Sequence, residues 1–255
     1  MNRILYAIIL VATITSCAES YNIQGSSTVA RLDGSKLYLK VVSDNKLQNI
    51  DSCEVVHGKF HFTGQYDSTR MASLYMDDTS VMPLVVEQGD ISIRIDDAQQ
   101  KVSGTPLNEL LYDFLDKHQQ LDNQLVELGH RESQMLLDGI DENDIAEQLS
   151  VEAQAIARQT DSLETHFIID NFDNVLGPGI FMMITSSYKY PILTPQIEEL
   201  MSKATDTFKA DPYVSEYYRV ANEIHQQMQN GGNVPAKATI EEPTDSIVQS
   251  ILNAE

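Results

Sequence analysis

The sequence predicts an α+β protein in which an N-terminal antiparallel β-sandwich or barrel-like domain precedes an α-helical region. Two observations predict this class. Short runs of β-type residues, separated by turn residues, fill the chain up to about Gly104. At Thr105-Pro106 the hydrophobic period changes from two residues to about 3.6, and it stays helical for most of the remaining chain.

The β-domain is predicted to contain eight short strands between residues 22 and 104. Leu37, Leu39 and Val41 alternate with more polar neighbours, which is typical of a strand with one buried face. Glycines at Gly34 and Gly58 supply tight turns, because glycine reaches positive φ at no steric cost. The predicted strands are Asn22–Val29, Lys36–Ser43, Leu47–His57, Lys59–Thr63, Met71–Met76, Met82–Glu87, Asp90–Asp96 and Gln100–Ser103.

Two long helices are predicted to form a hairpin. The first begins with Thr105 as its cap and Pro106 at its first position, and the second runs from about Asp144 to Asn171 after the polar turn 138–143. A short connection between long helices favours an antiparallel pair. The first helix carries an apolar seam at Leu107, Phe114, Leu121 and Leu128, flanked by Leu111, His118 and Leu125. We expect this seam to cover the β-domain or the second helix, with a dimer interface as the alternative.

Shorter helices are predicted after the hairpin. The stretch Leu176-Gly-Pro-Gly179 interrupts the helical pattern, and a short apolar helix is expected from Ile180. Two further caps followed by proline predict the helices Pro195–Phe208 and Pro212–Gln229. The last helix carries Tyr213, Tyr217 and Tyr218 with Val214 and Val220. These side chains suit either a partner groove or the face by which the helix docks.

The N-terminus has the layout of a secretory signal peptide. Arg3 precedes the apolar run 4–14, which ends in small residues and is shorter than the roughly 20 residues that a membrane-spanning helix needs. The end of the run, Ile14-Thr-Ser-Cys17, resembles the lipobox of bacterial lipoproteins. That resemblance implies that residues 1–16 are removed and that the Cys17 sulfur carries a diacylglyceryl group. An ordinary cleavage site before a cysteine is the alternative.

Charge excludes one class of partner and limits how the chain meets a membrane. The chain has 17 basic and 38 acidic residues and a formal net charge of -21. Nucleic-acid binding depends on clustered Lys and Arg, so no nucleic-acid partner is expected. The same charge repels anionic headgroups, so we expect the lipid at Cys17, and not a basic patch, to hold the protein at the membrane.

A set of strand and turn residues extends the resemblance beyond the lipobox. It comprises Tyr21-Asn-Ile-Gln-Gly25, Gly34-Ser-Lys-Leu-Tyr-Leu39, Ile50-Asp-Ser52, Gly58-Lys-Phe-His-Phe-Thr-Gly64, Val86-Glu-Gln-Gly-Asp-Ile91 and Val102-Ser-Gly-Thr-Pro-Leu-Asn108. This order resembles a family of Gram-negative envelope lipoproteins in which a β-domain of unknown function and a helical segment precede a thioredoxin-like thiol-disulfide domain. The similarity covers roughly residues 21 to 230.

The chain departs from that family where the redox domain would begin. Gly232-Asn-Val-Pro-Ala236 is similar to the junction, but 19 residues follow, whereas a thioredoxin fold needs about 100 residues and a reactive cysteine pair. We therefore do not expect the family's redox activity to carry over to this sequence. A non-catalytic binding or interaction lipoprotein of unknown ligand is the main expectation. The alternative is an accessory in thiol-disulfide or peroxide handling that works with a separate thioredoxin-like protein.

For the other candidate residues, the sequence context favours a structural role over a reactive or metal-binding one. Cys53 is the second of two cysteines and has acidic neighbours, which favour the unreactive thiol. His57 and His61 stand on opposite faces of a predicted hairpin that turns at Gly58-Lys59, so a shared metal is not expected. The acidic run 138–144 lacks the ligand order of a calcium loop and is expected to be a turn.

The domain organisation follows from these segments. We expect a lipoprotein signal peptide at 1–16, a lipidated tether at 17–21, the β-domain at 22–104, the helical region at 105–230 and a flexible C-terminal tail at 231–255. Cys17 is the single predicted site residue, as the point of lipid attachment. No enzyme activity, cofactor or metal is expected. The predicted location is the cell envelope, periplasmic or surface-exposed, with the outer membrane favoured, and the expected partner is an unknown protein or small molecule.

Overall fold

The computed structural model describes residues 20–43, 46–97 and 99–230. Over these residues the chain forms eight β-strands in two sheets, followed by six α-helices. The predicted α+β class is therefore confirmed. The predicted signal peptide, Cys17 and the tail from residue 231 lie outside the described residues.

All eight predicted strands are present, with small shifts at their ends. The strands are β1 (Ser20–Ser27), β2 (Lys36–Ser43), β3 (Lys46–Glu54), β4 (Lys59–Gln65), β5 (Arg70–Met76), β6 (Thr79–Val86), β7 (Gly89–Ile95) and β8 (Gln100–Ser103). A single 3₁₀ turn (Ala30–Leu32) separates β1 from β2. The helices are α1 (Pro106–Leu137), α2 (Glu142–Asp170), α3 (Leu176–Ser186), α4 (Pro195–Lys203), α5 (Asp206–Ala210) and α6 (Pro212–Gln229).

The strands form two four-stranded sheets, with the orders β4-β1-β7-β8 and β3-β2-β5-β6. Neighbours are antiparallel with one exception, since β1 and β7 run parallel with Ile23 opposite Ile91. Alternate residues of both sheets enter one core, among them Leu39 and Ile93. The two inner faces therefore pack as a sandwich.

The hairpin from β3 to β4 carries the chain from one sheet to the other. His57 and Gly58 both have positive φ, at 52° and 67°, and Val56 pairs with Lys59 across them. Positive φ at both central residues is the geometry of a type I′ turn. The turn therefore lies at His57-Gly58, one residue before the predicted Gly58-Lys59. A type I′ turn has the same twist as the two strands that it joins, so the two residues with positive φ are the ones that close the hairpin.

Two glycines on paired strands make room for aromatic rings. In the β1–β4 register Tyr21 lies opposite Gly64, and Gly25 lies opposite Phe60. A Cβ at Gly25 would overlap the Phe60 ring, and one at Gly64 would overlap the Tyr21 side chain. Each ring covers the glycine of the facing strand, a cross-strand contact that stabilises the pair where glycine alone would weaken it.

The amide of Asn108 joins α1 to the edge of the second sheet. This fully buried side chain accepts from the Val85 N–H (2.8 Å) and donates to the Val85 carbonyl (2.7 Å), so it pairs with β6 as a neighbouring strand would. One turn later the Tyr112 hydroxyl donates to the Pro83 carbonyl (2.9 Å). Helix α1 therefore covers the exposed edge of β6, where unpaired backbone groups would otherwise remain.

The start of α1 is capped differently from the sequence prediction. Thr105 occupies the cap position, but its hydroxyl makes no capping bond and accepts instead from Asn108 Nδ2 (2.9 Å). The Glu87 carboxylate takes the N-terminal N–H groups of Leu107 (3.0 Å) and Asn108 (3.2 Å). A carboxylate at a helix N-terminus also interacts favourably with the helix dipole. Glu87 therefore supplies the cap from the end of β6.

The hairpin of α1 and α2 has the predicted antiparallel form. Gly139, with φ of 80°, ends α1, where its N–H bonds Leu136 O (3.1 Å) and the Ile140 N–H bonds Met135 O (3.1 Å). This bond pair is a Schellman motif. Asp141 then caps α2 by accepting from the Asn143 N–H (2.9 Å). The acidic run is thus used as a turn and a cap.

Two predicted helix boundaries are wrong. The predicted helix Pro195–Phe208 is split into α4 and α5, because Ala204 is extended and the Thr205 hydroxyl caps a new helix by accepting from Phe208 N–H (3.3 Å). Helix α3 begins at Leu176 and not at Ile180. The proline at 178 lies in its first turn, where a missing N–H costs little.

A partly buried ion pair holds α1, α2 and α4 together beside the main core. His118 on α1 contacts Asp122 (2.9 Å) and, across the helix interface, Glu164 on α2 (3.1 Å). Gln196 on α4 donates to the second oxygen of the Glu164 carboxylate (2.9 Å). Hydrogen bonds to Asp122 and Glu164 raise the His118 pKa from its ordinary 6.5 to about 9, against the opposing effect of burial. His118 is therefore a cation at neutral pH.

We expect Asn108→Ala to lower the free energy of unfolding by about 2–4 kcal/mol, because it leaves the buried Val85 N–H without a partner. Urea unfolding followed by circular dichroism measures this loss. The matched control is Asn123→Ala, an exposed position on the same helix that accepts from Gln119 one turn away. Its expected cost is about 0.5 kcal/mol or less. Equal losses in the two variants would contradict the edge-pairing role.

The His118 pair predicts a loss of stability at alkaline pH. Because the folded pKa is raised, the stabilisation is fully present below about pH 6.5 and is lost as pH rises through about 9. We expect wild type to lose about 2 kcal/mol relative to His118→Gln over this window, after allowing for solvent screening at the Asp122 side. Denaturant titrations at a series of pH values test this. His130→Gln, at an exposed histidine of α1, should keep the wild-type pH profile.

Candidate ligand-binding cleft

A mainly apolar cleft of about 810 Å³ lies where the β-domain meets the shorter helices. This volume is within the range of small-molecule sites. Its walls come from the ends of β2 and β5, the segment 172–175, the start of α3 and the junction of α5 with α6. The apolar side chains in the lining are Val42, Met71, Phe172, Val175, Pro178, Met182, Ala210, Pro212 and Tyr213.

The close approach of α3 to β5 forms one wall. A Cβ at Gly179 would lie 2.9 Å from Met71 Cγ and 3.2 Å from Met71 Cε, which is inside normal contact distance. Glycine at this position therefore lets the Met71 side chain lie against the helix backbone. Met182, one turn further along α3, also lines the cleft. Methionine is flexible and adapts to irregular apolar surfaces, so this wall can adjust to different ligands.

The segment between α2 and α3 forms a second wall, and its polar groups are bonded within the protein. Asn174 donates to Asn171 Oδ1 (2.8 Å), and its own oxygen accepts from the Leu176 N–H (2.8 Å). Asp173 accepts from the Thr205 hydroxyl (2.8 Å), which ties the segment to the start of α5. These bonds position the cleft wall formed by Phe172 and Val175.

The start of α6 closes the third side. Asp211 caps this helix by accepting from the N–H groups of Tyr213 (2.9 Å) and Val214 (3.1 Å). The Tyr213 hydroxyl lies 3.0 Å from Thr185 Oγ1 on α3, so α3 and α6 are held together behind the cleft. The Phe181 ring stacks edge-on against Tyr213. These two contacts hold α3 and α6 together on the helical side of the cleft.

Charged groups at the cleft are engaged with the protein. Arg70 forms an ion pair with Asp67, and this hydrogen bond lowers the Asp67 pKa. Asp173 and Asp211 hold Thr205 and the α6 N-terminus, as described above. The unengaged surface is thus mostly apolar, and the arrangement suits a neutral or largely apolar ligand.

The polar side chains of the cleft are carboxylates, hydroxyls, one amide and one guanidinium, and the lining includes no histidine, cysteine or lysine. Its carboxylates, Asp173 and Asp211, are bonded within the protein as described above. Over residues 20–43, 46–97 and 99–230, no group of three or more metal-ligating side chains comes together. The chemistry that these residues support is desolvation and packing around an apolar molecule.

The structure describes one of the two cysteines, Cys53, and not the other. Cys17 lies outside the described residues, so its lipid attachment stays a prediction. Cys53 is a free thiol on β3, partly buried against the main core and opposite Leu37. Burial raises the pKa of this thiol, and Asp51 raises it further, against a lowering by the His61 backbone. Both shifts favour the less reactive protonated form.

The other sequence candidates are structural. His57 occupies the type I′ turn, while the exposed His61 ring lies 2.6 Å from Asn22 Oδ1 on β1, so these histidines do not meet. Tyr217 is buried, and its hydroxyl bonds both the N–H and the carbonyl of Ile192 (3.1 Å each). Tyr213 is also buried and lines the cleft from within. The buried side chains of α6 are therefore the face by which this helix packs on the rest of the chain, and Tyr213 also contributes to the cleft.

The apolar seam of α1 covers the main core and then α2, as predicted, but not along its whole length. Leu111 and Phe114 enter the main core, and Leu121 and Leu128 form a smaller cluster with α2. Leu125, on the flanking row, is exposed. The seam therefore leaves an uncovered apolar edge in the outer half of the hairpin.

Sequence reasoning missed the cleft. Its walls come from segments more than 100 residues apart, and Met71 and Met182 carry no motif. The one available signal is Gly179, in the stretch that interrupts the helical pattern. A glycine inside a helix often marks the close approach of another element, here the Met71 side chain.

Residues 21–111 match the model of a protein family described as a domain of unknown function (DUF4369). The match spans all of the β-domain from Tyr21 and ends at Leu111, so it includes the first turns of α1 with Asn108. No curated protein matches the chain. Among the described helices, none combines the length and the hydrophobicity needed to cross a bilayer.

Proposed function

We propose that the chain is a lipid-anchored, non-catalytic binding lipoprotein of the cell envelope that holds an apolar ligand in the cleft between its β-domain and its helices. The observation that carries the binding role is the cleft itself, with an apolar lining and charged groups that are already paired. Concave apolar sites at the junction of structural units are common locations for ligands.

The anchoring part of the proposal rests on the N-terminal sequence. A charged residue, a short apolar run and Ile14-Thr-Ser-Cys17 form the pattern of a lipoprotein signal. Acyl chains at Cys17 would contribute about 0.8 kcal/mol per buried CH₂, and two or more chains give stable anchoring. Placement in a Gram-negative envelope is what the family resemblance implies, and within it the outer membrane is the location that we favour.

A role in thiol-disulfide handling has less support. It would need Cys53 or a partner protein to carry the redox chemistry, and the Cys53 thiol is partly buried, with a raised pKa. A reactive cysteine has the opposite setting, exposed and electropositive. The binding role therefore takes precedence.

We expect the neutral fluorescent probe N-phenyl-1-naphthylamine to bind the chain saturably. Met182→Trp should weaken this binding about tenfold or more, because the larger side chain fills the cleft. Fluorescence titration measures both affinities. Met228→Trp, at an exposed methionine near the end of α6, is the matched control and should bind as wild type does. Unchanged binding by Met182→Trp, with its fold retained by circular dichroism, would refute the cleft as the site.

Cys17 should carry the lipid. We expect mass spectrometry of the mature N-terminus to show a diacylglyceryl-modified and N-acylated cysteine, and Cys17→Ala to give a chain without acyl groups that is either unprocessed or released from the membrane. Cys53→Ser is the control and should keep both the lipid and the membrane association. A mature wild-type N-terminus without lipid would contradict the anchoring proposal and leave the cleft proposal standing.

A further inference from the structure

The outer half of the α1–α2 hairpin has a small core of its own. Its buried residues come from these two helices and are separate from the main core: Leu121, Leu128, Ile145, Leu149 and Ile156. A two-helix pair buries apolar residues on the facing sides alone, so residues on its flanks stay in water unless something covers them.

One flank of this hairpin is apolar on α1. Leu125, Val126, Leu136 and Leu137 have exposed fractions of 41, 52, 46 and 82 %. Leu125 and Leu136 are eleven positions apart and share a face, as do Val126 and Leu137. The two rows lie side by side, about 100° apart around the helix, and together form a band on one side of it. Gly129 lies on the same side, and a Cβ there would meet nothing within 4 Å. We name these four apolar residues the α1 stripe.

The opposite flank is more polar, since eight of the twelve residues that line the groove there are polar or charged. The groove there is lined by Lys117, Gln124, Arg158 and Gln159, among others. On α2, the row Ala146, Ser150, Ala153 and Ala157 follows helical spacing on the side of the α1 stripe. Small residues beside a line of leucines leave a shallow trough that a helix with apolar side chains can fill.

Charge identifies the occupant of this trough. Residues 121–160 carry nine acidic and two basic residues. Of the two basic residues, Arg131 is paired with Glu152 (2.8 Å) and Arg158 lies in the polar groove. Glu132 stands one turn before Leu136 on α1. A second copy would bring the same excess of negative charge, and an anionic membrane would also be repelled.

We propose that the α1 stripe is the docking surface for a cationic amphipathic helix of another protein. Leucine-like side chains of the partner fill the trough, and Lys or Arg beside them face the acidic residues of the hairpin. Burial of the stripe supplies affinity, and the charges supply orientation and a fast association rate. This surface is separate from the cleft, so either proposal can fail without the other.

The test uses the full chain and a labelled model helix of about 18 residues, with leucine at i, i+3, i+4 and i+7 and lysine elsewhere. We expect saturable binding by fluorescence anisotropy that weakens at least about tenfold between about 50 mM and about 500 mM salt. The double variant Val126→Gln/Leu137→Gln should weaken binding about tenfold or more. Glu132→Lys should weaken it less, through charge alone.

Val151→Gln is the matched control, because Val151 is 70 % exposed on the same hairpin but on the side of α2 away from its buried face. It should bind as wild type does. A peptide of the same composition with its leucines scattered should bind far more weakly. Equal binding by that peptide, or equal loss in Val151→Gln, would show non-specific attraction to an acidic chain and overturn the proposal. Concentration-dependent dimers that Leu137→Gln dissolves would overturn it in favour of a second copy.

Discussion

The rest of the structure depends on the pairing of the Asn108 amide with Val85 on the edge of β6. An open sheet edge presents unpaired N–H and carbonyl groups, and a helix cannot satisfy them with its own backbone. The amide side chain carries one donor and one acceptor in the right geometry, so it substitutes for a strand over one residue. Glu87, two residues beyond Val85, then caps the same helix turn. These bonds together fix the end of β6 to the start of α1.

The bonds between β6 and α1 set the direction of α1, and the positions of the other helices depend on that direction. Because α1 leaves the β6 edge at a defined angle, its seam first meets the main core and then extends beyond it with α2. The His118–Glu164–Gln196 contacts lie at the level where the main core ends, and they hold the base of the hairpin to α4. The cleft and the α1 stripe are thus on different parts of the fold. The family match ends at Leu111 and so includes Glu87, Asn108 and the bonds that they make between β6 and α1.

Much of the fold could be predicted because its signals are local. Alternation in Leu37, Leu39 and Val41 and the threonine-proline cap before α4 each report on a few adjacent residues. The parallel pairing of β1 with β7 could not be predicted in this way. Alternation shows which face of a strand is buried, but it does not show which strand lies beside it or in which direction that strand runs. The same applies to the Glu87 cap, which lies twenty residues from the helix it completes. The cleft depends on Met71 and Gly179, whose proximity follows from the complete tertiary arrangement.

The acidity of the chain gives the two proposed surfaces different roles. Under the proposed attachment at Cys17, two residues, Ala18 and Glu19, lie between the lipid-bearing cysteine and the start of β1 at Ser20, so that end of the β-domain stays within roughly 10–15 Å of the bilayer surface. An acidic domain so close to anionic headgroups is repelled by them, which turns its acidic parts away from the membrane. The outer hairpin concentrates such charge, with nine acidic residues over positions 121–160. Its stripe is therefore expected to face the aqueous side, where a cationic helix can reach it without competing with the lipid surface.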